Sequence, residues 1–331
     1  MSNIESRPSI EHMILEYEIL CKNFEGIIKK HNLNTTVEKT KLGFYKRKIK
    51  EWNYNVFDNE SLKLFYIINK LISLNILFNS HINVQLDYKS LLNILKGSNS
   101  FDDTNEGYND TFFELDMAIR FLKKTLELGL ADSFIINLDT DCDIIIGNKI
   151  AIECKYIHSR KRLEEHVKKA IKQIDIRIAE GLANEGIIAI DLTHIMDNTK
   201  FDKIAQEVFA EFYAMNQKLA INSFVSDSIG DHILTSTLEN TNFREILQSY
   251  HTAYLEQTFY ENISQSTKNK IKNNLKVKAI VFQSRNLMIF ESLTGTAPVM
   301  NRGMTYYLNE NLPTEEKNML KSIISNLAVG I

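Results

Sequence analysis

The sequence predicts an α/β protein, a mixed β-sheet flanked by helices with a helical region ahead of it, and three observations lead there. Residues 133–138, 141–146 and 149–157 are short apolar runs of strand length, and Gly147-Asn148 between the last two is a hairpin turn signal. Helical periodicity brackets them, over 109–129 before and 160–180 after. A near-continuous apolar run follows over 186–193, the pattern of a strand covered on both faces. The order is helix, three strands, helix, strand.

The first hundred residues read as mostly helical. Ile10, Met13, Ile14, Tyr17, Leu20 and Cys21 recur at helical spacing within 9–30, a second amphipathic run covers 60–77, and a shorter helix covers 87–96. Between the first two, residues 39–52 interleave Lys and Arg with Phe44, Tyr45 and Trp52. Such a stretch suits a phosphate backbone and stacked bases. The preferred reading is plainer: a solvated lysine face over a core that holds Phe44 and Trp52. The polar segment 98–109 is the most loop-like in the chain and divides a helical N-terminal region, 1–105, from a second domain, 106–331.

On a helical wheel of 109–129, closed by Gly129, Asp116, Arg120, Lys123, Lys124 and Glu127 gather on one side. Glu114 lies opposite, beside Met117, Ala118 and Phe121. A carboxylate among apolar neighbours points to a functional partner, although Thr111 and Glu114 also have the spacing of a capping box. The helix over 160–180 carries Leu163, Val167, Ala170, Ile171, Ile174 and Ile178 on its stripe. His166, Lys169, Gln173 and Arg177 share one edge of it, which either overlooks the sheet or is solvated. Beyond 193, helices over 201–219 and 243–263 form an insertion. Strands over 276–283 and 287–293, turning at 284–286, and a helix over 313–327 close the chain. Lysines between 268 and 278 make a second basic stretch.

Composition narrows the function classes. With 331 residues and a net charge of −3 there is no global basic field, so any nucleic-acid surface is a local patch. No apolar run approaches the ~20 residues that span a membrane, and the N-terminus lacks a signal-peptide pattern. Cys21, Cys142 and Cys154, odd in number and without Cys-x-x-Cys spacing, argue against a disulfide scaffold or zinc site and for a reducing, cytoplasmic setting. Walker A, His-Glu-x-x-His and Gly-x-Ser-x-Gly motifs are absent.

The chemistry concentrates in the hairpin. Side chains alternate faces along a strand, so Asp141, Asp143 and Ile145 share one face and Cys142, Ile144 and Ile146 the other. On the next strand Glu153 and Lys155 share a face, opposite Ile150, Ile152 and Cys154. Two carboxylates and a lysine on one side of a hairpin whose other side is apolar require pairing or a metal. A hard dication such as Mg²⁺ makes two neighbouring carboxylates favourable and acidifies a bound water beside a phosphodiester. The competing reading is a solvent-facing hairpin edge with an incidental salt bridge.

Residues 109–193 resemble the core of the PD-(D/E)xK phosphodiesterase superfamily, the restriction-endonuclease-like fold. Asp143 matches the first acid, Glu153-Cys154-Lys155 the (D/E)-x-K element, and the run around Glu114 the first helix; Cys142 stands where the family often has proline. The resemblance covers about a quarter of the chain. It implies an α-β-β-β-α-β mixed-sheet core and a metal-dependent nuclease, chiefly a DNA endonuclease, with a restriction or anti-phage role. Asp143, Glu153 and the Cys154 carbonyl would hold Mg²⁺ or Mn²⁺, Lys155 would position the attacking water, and Glu114 and Gln173 would support the site. Expected partners are nucleic acid, an ATPase or helicase for any translocation, and a second copy of the chain. The alternative is a nucleic-acid-binding or effector-recruiting subunit that keeps the fold while a partner supplies the activity.

Overall fold

Seven strands among the described residues lie side by side in chain order in one mixed sheet: β1 (Val84–Leu86), β2 (Ile136–Leu138), β3 (Ile144–Ile146), β4 (Ile150–Tyr156), β5 (Glu185–Asp191), β6 (Val277–Ser292) and β7 (Gly295–Leu308). The computed structural model describes residues 10–52, 58–78, 84–86, 91–101, 106–127, 136–138, 143–147, 149–222, 229–292 and 295–328. β1 and β2 are parallel, β2, β3 and β4 antiparallel, β4, β5 and β6 parallel, and β6 and β7 antiparallel. The chain is an α/β protein with helices on both faces of this sheet.

Parallel neighbours need a crossover. Helix α5 (Leu163–Ala179) supplies it between β4 and β5, and the segment Asn198–Asn273 supplies it between β5 and β6. That segment comprises α6 (Asn198–Asn222), α7 (Ile229–Glu239), α8 (Thr241–Glu261) and α9 (Gln265–Asn273); α7 and α9 had no counterpart in the sequence reading. The remaining helices are α1 (Ile10–Lys30), α2 (Lys41–Glu51), α3 (Asn59–Ile72), α4 (Tyr108–Glu127) and α10 (Thr314–Ala328).

Strand alternation then sorts the core. Ile144, Ile152, Cys154, Ile187, Ala189 and Val281 face one way, into a cluster with Phe24 of α1, Tyr45 of α2, Ile67 of α3, Phe113 of α4 and Ile324 of α10. Ile188, Ile190, Ile280 and Phe282 face the other way, under Val167 and Ile174 of α5 and Leu255 and Phe259 of α8. β5 is thus covered on both faces, which explains its continuous apolar run. Gly186 lets α5 sit close: a Cβ there would meet Ile174 Cγ2 at 2.5 Å. A third cluster, including Phe201, Phe209, Phe243 and Phe290, roofs the outer half of β6–β7.

The basic–aromatic stretch 39–52 contains α2, with Leu42, Tyr45 and Ile49 buried and Phe44 and Trp52 packed on the core, as its plainer reading expects. Several other expectations are corrected. The run 60–77 ends as α-helix at Ile72 and continues as a 3₁₀ segment, Ser73–Phe78. It is long and apolar enough to cross a membrane, with a mean hydropathy of 1.4 over Glu60–Phe78, contrary to the expectation that no run would be. Phe65, Ile67, Ile68, Leu71 and Leu74 place its apolar side inside the protein core. Of the helix 87–96, residues 87–90 fall outside the described residues, and Asn93–Leu95 is a 3₁₀ turn. Gly129 also falls outside.

The turn expected at 284–286 is the middle of a 16-residue strand whose partner is β7. Its polar side chains looked like a turn because their partners are distant in sequence: Ser284 meets His251 at 2.5 Å, Arg285 meets Asp116, and Asn286 donates to Asp202 at 2.6 Å. Asp116 and Arg120, on the polar side of α4, are likewise not solvated. Asp116 is fully buried and Arg120 nearly so, and they bond to each other at 2.6 Å. α4 begins at Tyr108, so Thr111 lies inside the helix and the capping-box reading of Glu114 fails.

Asp116 faces guanidiniums from three elements: Arg120 of α4, Arg285 of β6 and, at 3.9 Å, Arg302 of β7. Burial alone would raise its pKa, but the three arginines outweigh burial and hold it below the carboxylate range. Removing that charge leaves three guanidiniums uncompensated in the interior. Asp116→Asn is expected to cost about 3–5 kcal/mol in urea unfolding; a loss under ~1 kcal/mol would mean the cluster behaves as a solvated surface pair.

Candidate metal centre

Asp143 sits in the bend that leads into β3, and Glu153 and Lys155 lie in β4. The β3–β4 register pairs Ile144 with Ile152; one step outward it sets Asp143 across from Glu153. The three side chains meet. Lys155 Nζ donates to Asp143 Oδ2 at 3.2 Å and to Glu153 Oε2 at 3.1 Å. The Cys154 N–H also donates to Asp143 Oδ2, at 2.6 Å, which fixes the carboxylate against the strand. Asp141 and Cys142 lie outside the described residues.

Burial makes this grouping costly without compensation. The Glu153 side chain is 0% exposed, Lys155 11% and Asp143 18%. Burial works against the Lys155 charge, yet Asp143 and Glu153 outweigh it and raise the ammonium pKa above its ordinary value. Lys155 therefore stays charged at neutral pH. The neighbouring Cys154 thiol is pushed well up, first by burial and then by Asp143 and Glu114, so it is inert.

Glu114 approaches from α4. Its carboxyl is raised to about 8, first by burial, then by repulsion from Asp143, with Lys155 pulling the other way. Its apolar surroundings are legible in the sequence, whereas the acidic neighbour is brought by the fold. Asp110, one turn earlier, also pushes on Glu114 and accepts from His158 at 3.1 Å if that imidazole carries the proton. Asp110 was missed, although its i, i+4 spacing from Glu114 was a readable signal.

Gln173 lies on α5, which covers the face of β4 that bears Glu153 and Lys155. Its Oε1 is buried and accepts no hydrogen bond from the described residues. His166, two turns earlier on the same edge, lies within electrostatic range of Lys155; its pKa is lowered first by burial, with Lys155 and Lys169 adding to that against Glu165. Arg177 turns aside to Glu180 at 2.9 Å.

The donor set fits a hard dication. Two carboxylates, Asp143 and Glu153, bond one ammonium, and Glu114 lies within electrostatic reach of them, its carboxyl raised first by burial and then by Asp143. No three His, Cys, Asp or Glu side chains among the described residues are closed into a metal cage. Mg²⁺ needs only one or two protein carboxylates beside its waters. Each of the two basic stretches, by contrast, is paired in part on the protein itself: Lys46 with Glu38, Lys48 with Glu51, Lys272 with Glu310 and Lys278 with Glu316. Comparisons with protein-family models, curated proteins and solved structures give no match to this chain.

The state of Glu114 is testable through stability. The unfolded chain releases this proton near pH 4.5 and the folded chain near 8, so its contribution is full below pH 4.5 and is lost as pH rises through 8. Between pH 5 and 8.5 the wild type is expected to lose on the order of 2 kcal/mol relative to Glu114→Gln, after allowance for partial solvent screening. Millimolar Mg²⁺ should narrow the gap. Denaturation curves that run parallel across this range would remove Glu114 from the acidic cluster.

Proposed function

We propose that this chain is a metal-dependent phosphodiesterase acting on nucleic acid, a DNA endonuclease with a restriction-endonuclease-like core. The observation that carries this reading is the convergence of Lys155 Nζ on both Asp143 and Glu153 across paired strands. The element order α4, β2, β3, β4, α5, β5 supports it as well. Asp143 and Glu153 would hold Mg²⁺ or Mn²⁺. A strand residue exchanges its N–H and C=O with the same neighbour, so the Cys154 carbonyl leaves β4 on the Asp143 side, where it can add a ligand. When bound, the ion acidifies water and neutralises charge on the phosphodiester.

The remaining work belongs to the side chains. Lys155, held charged between the two acids, orients the attacking water and stabilises negative charge developing at phosphorus. Glu114 is protonated at neutral pH and so spares the site a third anion. Gln173 offers its buried carbonyl oxygen to a water on the α5 side. The free, buried Cys21 and Cys154 suit a reducing compartment, the cytoplasm. With no motor motif in the chain, a restriction or anti-phage role that requires translocation would depend on a partner ATPase or helicase. A second reading rests on the same bonds: Lys155 also closes the acids into an internal ion-pair triad, as a nucleic-acid-binding or effector-recruiting subunit without activity of its own would retain.

Plasmid, linear DNA and RNA incubated with the protein in Mg²⁺, Mn²⁺ or EDTA decide between them. Cleavage in metal but not in EDTA is expected, with Lys155→Ala slower by at least ~10²-fold while Mn²⁺ binding by calorimetry is nearly retained. Asp143→Ala and Glu153→Ala should each abolish Mn²⁺ binding. Equal binding by all three proteins, or a Lys155→Ala variant that cuts like wild type, would make the triad a structural ion pair. Nucleic-acid binding with no cleavage in any metal favours the subunit reading.

A further inference from the structure

On the opposite face of the end of β4 from Lys155 lies a cavity of about 450 Å³, between α3, α4 and the carboxyl ends of β4 and β5. That volume is within the range of small-ligand sites, and carboxyl ends of parallel strands are where open α/β sheets bind ligands. Tyr66, Phe101, Phe112, Phe113 and Tyr156 line it with aromatic surface. Its charged wall is Lys63, Lys70, Arg285 and Asp191, an excess of positive charge.

The balance behind that wall matters more. Asp191 is occupied by the protein: Gln283 Nε2 donates to Oδ2 and the Thr193 N–H to Oδ1, both at 2.8 Å. Asp116 is shared by Arg120, Arg285 and Arg302. Three guanidiniums thus stand against two carboxylates in the interior. Arg285 is only 8% exposed, and its Nε–H, like those of Arg120 and Arg302, has no acceptor among the described residues. Buried donors normally find a partner. Arg285 is the guanidinium of the three that lines the cavity, 5.4 Å from the centre of the Phe112 ring.

We propose that this cavity is a binding site for a nucleoside phosphate, with the phosphate at Arg285, Lys63 and Lys70 and the base against the aromatic wall. An arginine with a free donor matches a phosphate oxygen, and flat rings accept any base by stacking. Hydrophilic edges of the ligand meet Asn109, Thr193 and Asn286, which also line the cavity. The ligand is either a free nucleotide or one nucleotide of a nucleic-acid strand. The site is independent of the metal reading, since none of Asp143, Glu153 or Lys155 lines it.

The test is calorimetry on the full chain in EDTA, which silences the acidic centre, with AMP, ATP, GTP and UTP and with adenosine and inorganic phosphate as controls. At least one nucleotide should bind, and adenosine and phosphate at least ~10-fold more weakly. Arg285→Lys, which keeps the charge but loses the fork, should weaken nucleotide binding at least ~10-fold. Lys63→Glu, on the exposed side of α3 and neutral to folding, should do the same. Asp143→Ala should leave it unchanged. A short single-stranded oligonucleotide that displaces the mononucleotide identifies the strand as the source, and failure to displace it identifies the free nucleotide. No binding by any nucleotide to the folded protein, or binding indifferent to both Arg285→Lys and Lys63→Glu, overturns the proposal.

Discussion

One buried carboxylate organises this molecule. Asp116 gathers Arg120 from its own helix, Arg285 from β6 and Arg302 from β7, and so pins α4 onto the long antiparallel hairpin. Arg120 also donates to Gln283, which donates on to Asp191 at the end of β5. Ion pairs at this depth contribute little net stability over an apolar core but are unforgiving of a missing partner. Their effect here is positional: α4 has one height and one rotation at which Asp116 meets guanidiniums from both strands, and that setting fixes where Asp110 and Glu114 emerge on one side and Asn109 and Phe112 on the other.

The acidic centre and the cavity are therefore two consequences of the same docking. Residues 155 and 156 point to opposite faces of β4, Lys155 towards the carboxylates and Tyr156 into the cavity. The electrostatic characters are opposite as well. Two carboxylates share one ammonium at the first site, with Glu114 in electrostatic reach, whereas guanidinium donors without a hydrogen-bond partner among the described residues back the second. The proposed cation and anion sites are separated by the thickness of a single strand.

Burial explains the difference between the two sets of lysines and arginines. Lys46, Lys48, Lys272 and Lys278 form pairs with nearby acids, and exposed pairs of this kind contribute under ~1 kcal/mol. Arg120 and Arg285 sit where water cannot screen them. Part of the basic charge that attracts attention in the sequence is thus met by surface acids, and the buried guanidiniums are scattered at 120, 285 and 302 among apolar neighbours.

The local pattern determined much of this protein by itself. Period-two alternation and the Gly147 turn specify a hairpin that can bring Asp143, Glu153 and Lys155 to one side, and the apolar run in β5 specifies a strand buried on both faces. Those features depend on neighbours a few residues apart. Tertiary structure alone decided the rest, because the relevant partners are far apart in the chain. Asp116 and Arg120 look like a solvated helix face until β6 and β7 arrive, and Ser284-Arg285-Asn286 looks like a turn until His251, Asp116 and Asp202 satisfy it in mid-strand. A polar residue announces its need for a partner in the sequence, but whether water or a distant side chain meets that need is settled only when the chain has folded around it.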